Sequence, residues 1–435
     1  MNDARPRIHI ETLGCKLNQA ESERLVRDFI DSGYETADYD SADIIILNTC
    51  TVTHIADRKA RHLVRMMKKA NPGARVVVTG CYAERAANEI KGCGADLAVS
   101  NREKTQLPLS ISPAGERQVS GDKTGTRADK RVRSFLKVQD GCRNYCSYCI
   151  VPLVRSDVFS VKADRIIAEA LEREQEGYRE IVLTGTEIGS YSDVSTGLPE
   201  LIGLLLKRTV ISRIHLSSLQ PQHITDGLLR LWQSRRLVRH FHLALQSGSD
   251  DTLKRMNRRY TTSGYRKAVE TIRKHVPDAS VTTDIIEGFP GETEAEFDES
   301  YRFCQNMQFT AMHIFSYSPR PGTAAAGLPG RVNEKTKKGR SLRMLKLAAD
   351  SADAFARRFT GRSTDVLWEN DVKAGSGIYT GLTDNYLRAY TRSSGDLSNS
   401  ITEAKLIALA DEMTVKTVKS STRGNHGEIW SVIET

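Results

Sequence analysis

Six of the eight cysteines in this 435-residue chain fall into two groups of three. The tighter group lies in GCRNYCSYCIVP, where Cys142, Cys146 and Cys149 stand in a CxxxCxxC spacing. Three thiolates on one short loop can bind three irons of a [4Fe–4S] cluster, because soft sulfur ligands suit such clusters. The fourth iron is then open to a small ligand, the feature that separates catalytic metal sites from closed structural ones. A zinc ion with a remote fourth ligand is the competing reading, although zinc knuckles favour paired CxxC spacings.

The second group is dispersed: Cys15 in TLGCKLNQ, Cys50 in ILNTCTVT and Cys81 in VVTGCYAE. Each directly follows a run that reads as a buried parallel strand, and neighbouring parallel strands deliver their following loops to one edge of a sheet. The three thiols could therefore share one cluster. Taken singly, each is equally a buried apolar side chain, the commonest fate of a free cysteine. Cys93 and Cys304 show no such pattern and are expected to be structural.

The elements that must position these thiols follow from the apolar periodicity. RIHIETLG, ADIIILN and RVVVTG alternate with amphipathic stretches over 18–31 and 53–69, which predicts a small Rossmann-like α/β domain in residues 1–110. ISPAGERQVSGDKTGTRADKR is polar and aperiodic, so 111–131 reads as a linker. From Val132, the strand candidates FLKVQD, EIVLTG, RIHLSS, HFHLALQS, SVTTDIIEG and AMHIFSYS are separated by helical stretches. They predict an open or partial (βα)6 barrel in 132–360, with its chemistry beyond the carboxyl ends of the strands. A charged helix over 334–359 leads to STDVLWEN, GIYTGLTDNYLRAYT and EMTVKTVKS, read as a small antiparallel all-β domain in 361–435.

Composition narrows the setting. Lys plus Arg number 63 against 54 Asp plus Glu, a net +9 that favours polyanionic partners but equally suits a soluble basic protein. The start MNDARPRIHIETLG lacks the apolar core of a signal peptide, and no run approaches the roughly 20 apolar residues that span a bilayer. A cytoplasmic protein without membrane contact is expected. Its thiols would then stay reduced, and metal binding explains eight cysteines better than disulfides do.

The motifs TLGCKLNQAES, LNTCTVTHIADRK, VVTGCYAE, GCRNYCSYCIVP, LTGTEIG, LQSGSDDTLKRMNRRYT, GFPGET and FSYSPRPGT run in this order over nearly the whole chain. Together they resemble the radical S-adenosylmethionine methylthiotransferases. KLNQ and TCTVT look most like the branch acting on threonylcarbamoyl-modified adenosine. The isopentenyladenosine branch has a GCQMN-type motif at the first cysteine, and the branch modifying a ribosomal-protein aspartate a GCPKN-type motif. The resemblance implies two [4Fe–4S] clusters. Cys142, Cys146 and Cys149 would hold the one that binds S-adenosyl-L-methionine and generates a 5′-deoxyadenosyl radical, and Cys15, Cys50 and Cys81 an auxiliary one that delivers sulfur. It further implies methylthiolation at C2 of N6-threonylcarbamoyladenosine at position 37 of transfer RNA, contact with the anticodon arm through a C-terminal TRAM domain, and an electron donor such as flavodoxin or ferredoxin.

Candidate cofactor contacts are Gly185 in the turn after the second barrel strand, Gln246 and Ser247 after the fourth, and Gly288 in GFPGET, where ordinary βα turns are the alternative. For RNA, Arg331, Lys335, Lys337, Lys338, Arg340, Arg343 and Lys346 are candidates for phosphate contact, or else form a solvated helix face. Tyr379, Tyr386 and Tyr390 would stack on bases or fill a small barrel. Leu153, Val154, Ser156, Asp157, Ala244, Glu287 and Ser316 depart from the family pattern, near the expected barrel mouth. They are expected to touch substrate fit and turnover rather than cluster assembly. A cluster- or zinc-containing RNA-binding protein without catalysis is the alternative from another functional class.

Overall fold

Three apolar runs, Arg7–Thr12, Ile44–Thr49 and Arg75–Gly80, pair in parallel, and the two-residue strands Glu35–Thr36 and Leu97–Ala98 flank them in a five-stranded sheet. The computed structural model describes residues 5–111, 132–194, 196–373, 375–409 and 429–434, so the expected linker lies, but for residue 111, outside the described residues. Every side chain of Ile44–Thr49 is buried because both faces of the sheet are covered. Ile45, Leu47, Val76 and Val78 pack with Ala60, Val64 and Met67 of helix His54–Ala70, while Ile8, Ile46 and Val77 pack with Leu25 and Phe29 of helix Lys16–Asp31. The Thr53 hydroxyl caps His54–Ala70 by accepting from Ala56 N at 3.2 Å, with Asp57 in the first turn and Lys68 and Lys69 in the last, as the helix dipole favours. The sheet is the Rossmann-like unit that the periodicity predicts.

The six predicted barrel strands all form. Arg133–Lys137, Glu180–Thr184 and Arg213–Leu216 make one parallel three-stranded sheet, and His240–His242, Ser280–Glu287 and Ala311–Ser316 make another. Isolated parallel bridges at Ile214 to Leu237 and Leu219 to Leu243 join them into one curved, open sheet, the partial barrel. Its convex face is apolar and covered by helices that include Ala163–Gln175, Leu198–Arg208, Thr262–His275 and Glu294–Met307.

The C-terminal strands Ser363–Asp371, Ile378–Thr383, Arg388–Arg392, Ile401–Leu409 and Ile429–Glu434 close into a small barrel. Its core joins Val366, Trp368, Tyr379, Ala389 and Leu406 to Phe355 and Phe359 at the end of helix Glu334–Arg357 and beyond. It is not wholly antiparallel, since Ile401–Leu409 pairs in parallel with Ile429–Glu434. A parallel pair needs a long crossover rather than a hairpin, and the expected strand EMTVKTVKS falls within that crossover, outside the described residues.

Two polar contacts lock these parts together. At the lower end of the curved sheet, Tyr386 of the small barrel stacks on His240 with ring centroids 4.9 Å apart and gives its hydroxyl to Glu180. His215 and His240 share a 2.8 Å hydrogen bond, and burial holds both imidazoles well below their usual pKa. Arg213 donates to the carbonyls of Leu382 and Asp365 at 2.8 Å each. On the other side, Glu21 of helix Lys16–Asp31 is buried among three cations. Lys104 lies at 2.5 Å, Arg155 at 2.8 Å and Lys137 at 3.0 Å, and Arg155 also binds Asp140 at 2.9 Å.

Glu287 stands on the helix-facing side of its strand, in electrostatic contact with Cys304 of helix Glu294–Met307, not at the barrel mouth. It is 1% exposed, and neither carboxylate oxygen has a partner in good hydrogen-bond geometry, although the Ser341 hydroxyl is near. Burial raises its pKa to about 7. This departure from the family pattern therefore bears on stability, correcting the expectation that it would touch substrate fit.

Two outcomes are expected. Glu21→Leu strands the buried Lys104 and leaves Arg155 and Lys137 to share Asp140 alone, and should destabilise the chain by about 3–5 kcal/mol, read by denaturant unfolding, since breaking a buried network leaves uncompensated charge. For Glu287, the folded state holds its proton more tightly than the unfolded state, so stability falls as pH rises from about 4.5 to about 7 and levels above. Glu287→Gln should thus gain up to about 3 kcal/mol over the wild type at pH 8 and nothing at pH 4.5. An equal offset at both pH values in thermal unfolding would contradict the buried carboxylate.

Candidate metal centres beside the barrel lumen

The loops after the first three strands of the Rossmann-like sheet carry Cys15, Cys50 and Cys81 to one edge, as parallel strand order requires. Cys15 immediately precedes helix Lys16–Asp31, without a side-chain cap, and Cys81 begins helix Cys81–Lys91. Two glycines allow the approach. Gly14, at φ +137°, lies where a Cβ would come within 2.9 Å of the Cys50 Cβ, and Gly80, at φ +94°, where a Cβ would lie 2.4 Å from the Thr49 carbonyl oxygen. The three thiols sense one another electrostatically. Cys15 is open to solvent yet walled by protein on most sides, as in a cleft. Its Sγ donates to Asn18 Oδ1 at 3.2 Å, and Asn18 in turn donates to the Thr49 carbonyl at 3.0 Å, tying the first loop to the second.

Cys142, Cys146 and Cys149 follow the first barrel strand in one irregular loop and likewise sense one another. Donors converge on their sulfurs. Asn144 N and Nδ2 reach Cys142 Sγ at 3.4 and 3.3 Å, and Arg258 Nη1 reaches Cys146 Sγ at 3.2 Å. In the other set, Val52 N reaches Cys50 Sγ at 3.4 Å and Arg155 Nε reaches Cys81 Sγ at 3.3 Å. Such donors stabilise thiolate charge. Burial acts the other way, pushing the thiols of Cys50 and Cys149 to about 12 and that of Cys142 to about 11, so ligation must displace their protons. The two sets are neighbours: Ile150, next to Cys149, packs with Val154 against Cys81.

Spacing separates two kinds of candidate site. Among the described residues, the group whose ligand atoms all lie within 4.8 Å of one another is His242, Asp284 and His313, and neither cysteine set meets that limit. A single tetrahedral zinc with bonds of about 2.3 Å would hold its sulfurs about 3.8 Å apart. The wider thiol spacing, with converging N–H donors, suits a larger iron–sulfur cluster. His242, Asp284 and His313 sit on three adjacent strands of the curved sheet, with His242 Nε2 3.2 Å from Asp284 Oδ1.

The other candidates divide. Gly185 is required by packing, since a Cβ there would come 2.6 Å from the Gln139 carbonyl oxygen, and Gly288 faces Lys337, whose Cγ would be 2.4 Å away. Gln246, at φ +70°, is held by Asp284 O and Ile286 N through its own backbone, while the Ser247 hydroxyl accepts from Ser249 N. The groups nearer the CxxxCxxC thiols are ones that motif reading passed over: Glu187, 3.4 Å from Cys142 Sγ, and Arg258. Both lie inside the quoted motifs LTGTEIG and LQSGSDDTLKRMNRRYT, and a charged side chain after a buried strand was their available signal.

Much of the basic run is already neutralised. Arg340 binds Glu292 and Glu294, Arg343 binds Glu294 and Asp298, Lys337 binds Glu334, and Lys346 faces Asp350. Tyr379 fills the small barrel and Tyr386 the floor contact. Tyr390 instead lines a groove of about 750 Å³ with Arg133, Glu369 and Arg388, between the small barrel and the first strands of both sheets. Of the remaining departures, Val154 is buried against Cys81, which corrects the expectation that none of them touches a candidate cluster ligand, Asp157 pairs with Arg102 at 2.5 Å, and the Ala244 carbonyl accepts from Arg258 and Tyr260. Leu153, Ser156 and Ser316 are exposed, and nothing in the structure assigns them a role.

Residues 7–99 match uncharacterized protein family UPF0004, and residues 136–304 match the radical SAM superfamily. The chain is 33% identical over 421 residues to the threonylcarbamoyladenosine tRNA methylthiotransferase MtaB of Bacillus subtilis, covering 92% of this chain and 93% of that one. It is 35% identical over 393 residues to the protein of that name from Thermotoga maritima, covering 88% and 90%. The tRNA-2-methylthio-N(6)-dimethylallyladenosine synthase of Endomicrobium trichonymphae is 32% identical over 412 residues, covering 92% and 98%. Among solved structures, the radical S-adenosylmethionine methyltransferase TsrM of Kitasatospora setae, at 13% identity, superposes with a TM-score of 0.56 over 99% of this chain and 85% of that one, a likeness of fold. With identities above 30% over 88–92% of its length, the chain belongs to the radical S-adenosylmethionine methylthiotransferase family.

Proposed function

We propose that this protein is a transfer RNA methylthiotransferase that places a methylthio group on C2 of N6-threonylcarbamoyladenosine at position 37. The observation that carries the reading is that relatives named for this activity match 88–92% of the chain at 33–36% identity. In this reading Cys142, Cys146 and Cys149 hold a radical-generating [4Fe–4S] cluster with one iron left for S-adenosylmethionine, and Cys15, Cys50 and Cys81 hold a second cluster. When bound, the first supplies the electron that cleaves S-adenosylmethionine to a 5′-deoxyadenosyl radical, and the second supplies the sulfur.

The chain's own groups bind, orient and screen. Arg258 and Asn144 hold Cys146 and Cys142 by N–H···S contacts, and Arg155 braces Cys81 while its other nitrogens bind Glu21 and Asp140. One guanidinium thus spans from the second thiol set to the strand that leads into the first. The packing of Ile150 and Val154 on Cys81 makes the contact between the two thiol sets apolar, which suits a site that must screen a reactive radical from water. Residues 1–110 are read as the auxiliary-cluster domain, 132–360 as the radical domain, and 361–435 as a TRAM-type RNA-binding domain. The anticodon arm would lie along the groove that Tyr390 lines, where Arg133 and Arg388 share Glu369. A low-potential flavodoxin or ferredoxin would supply the electron, in the cytoplasm. No described helix is long and apolar enough to cross a membrane.

Nucleosides from cells with and without this chain, separated by mass spectrometry, test the substrate. Loss of the methylthio form of threonylcarbamoyladenosine on deletion is the expected result. Loss of the methylthio-dimethylallyl nucleoside instead would favour the reading of the second group of relatives, and an unchanged profile would sink both. The division of labour is tested by two triple variants. Alanine at Cys142, Cys146 and Cys149 should leave about four irons per chain and abolish 5′-deoxyadenosine release. Alanine at Cys15, Cys50 and Cys81 should also leave about four irons but keep 5′-deoxyadenosine release while losing methylthiolation. Normal methylthiolation by the latter variant would return those three thiols to a structural role.

A further inference from the structure

Helix Lys16–Asp31 lies across the first strand of the curved sheet, where Glu23 accepts from Ser134 Oγ at 2.8 Å and Phe135 N at 3.1 Å. Its first residue is Lys16. The Lys16 ammonium is within electrostatic reach of Arg133, Glu180 and Asp284, and His215 and His240 both feel its charge. These five groups sit on five of the six strands of the curved sheet. A single side chain within electrostatic reach of groups on five strands of a curved sheet lies on its inner side, so Lys16 is a cation of the lumen. It is half-buried there and adjoins Cys15.

The neighbouring charges are committed elsewhere. Arg133 pairs with Glu369, Glu180 takes the Tyr386 hydroxyl, Asp284 is held by His242, and His215 and His240 bond each other. Among the described residues, no hydrogen bond or ion pair reaches the Lys16 ammonium. Its position adds to the cost, because a cation at the first helical residue opposes the positive end of the helix dipole, and no acidic residue stands in that first turn. A half-buried cation without a partner, at the unfavourable end of a helix, is placed to meet an anion that arrives from outside the chain.

We propose that Lys16 determines substrate specificity by binding the carboxylate of the threonylcarbamoyl arm, an assignment that rests on the substrate proposed above. The base must turn C2 towards the centre that includes Cys15, and only two ring atoms, N1 and C6, separate C2 from the nitrogen that bears the arm. An arm ending in a carboxylate is therefore brought close to the residue after Cys15. An apolar isopentenyl arm in the same place would desolvate the ammonium and give nothing back, so the contact selects against it as well as for the acid.

The test uses the full chain, reconstituted anaerobically, and three anticodon stem-loop RNAs that differ at one nucleoside: N6-threonylcarbamoyladenosine, its threonyl methyl ester, and unmodified adenosine. At fixed salt the wild type should bind the acid about tenfold more tightly than the ester, the range of one charge-assisted hydrogen bond. Lys16→Met should bind acid and ester within about twofold of each other, with binding of the unmodified loop and the iron content unchanged, and KM for methylthiolation of the acid raised about tenfold. Lys16→Arg should keep the preference. A wild type that does not distinguish acid from ester overturns the proposal whatever the variants do, and so does a Lys16→Met protein that keeps the preference. Failure of the substrate reading looks different: the wild type would then make no methylthio product from any of the three RNAs, irrespective of how it ranks them.

Discussion

Glu21 reaches across from the Rossmann-like sheet to the curved one, and the relative placement of both thiol sets depends on it. Its carboxylate is held by Lys104, Lys137 and Arg155, which come from three separate stretches of chain. Burying four charges is costly, and only the completeness of the network makes it tolerable; burial alone would raise a carboxylate's pKa, yet the three cations hold that of Glu21 well below its usual value. Arg155 shares itself among Glu21, Asp140 and Cys81, so the same side chain that neutralises the network also fixes a candidate cluster ligand. Specificity of docking, rather than stability, is what such a network supplies.

The small barrel performs the equivalent task at the other end. Tyr386, His215 and His240 form a stacked, neutral floor, and Arg213 satisfies carbonyls of the small barrel. The lumen is thus closed below by side chains from a region that the sequence reading assigned to RNA. Polar groups inside the curved sheet are mostly paired with one another, whereas Lys16, among the described residues, has no hydrogen bond or ion pair and only the more distant charges of Glu180 and Asp284 to offset its burial.

Much of this was legible beforehand for definite reasons. Buried parallel strands are short apolar runs, and IIILN, RVVVTG and EIVLTG announce themselves as such; the glycine before a thiol in TLGC and VVTGC marks the tight turn that the structure uses at Gly14 and Gly80. The strand ITEAKLIAL escaped, because its Ala, Lys, Glu and Leu content reads as helical, and only cross-strand pairing within the small barrel makes it a strand. Tyr386 and the basic run of helix Glu334–Arg357 were ambiguous because a sequence does not reveal which charges face a carboxylate; Arg340 is nearly buried between Glu292 and Glu294.

The sequence by itself determined the order of the main elements in the first two domains, the parallel sheets, the six thiols at strand ends and the family, since periodicity and motif spacing are local properties of the chain. Only the tertiary structure decided that Glu287 is a buried carboxylate against the helix layer, that Glu187 and Arg258 stand beside the CxxxCxxC thiols, and that Lys16 points into the lumen. Each of these depends on which residues far apart in the chain meet and on how much water remains between them. Both are set by the packing of one sheet against another, and no stretch of sequence contains them.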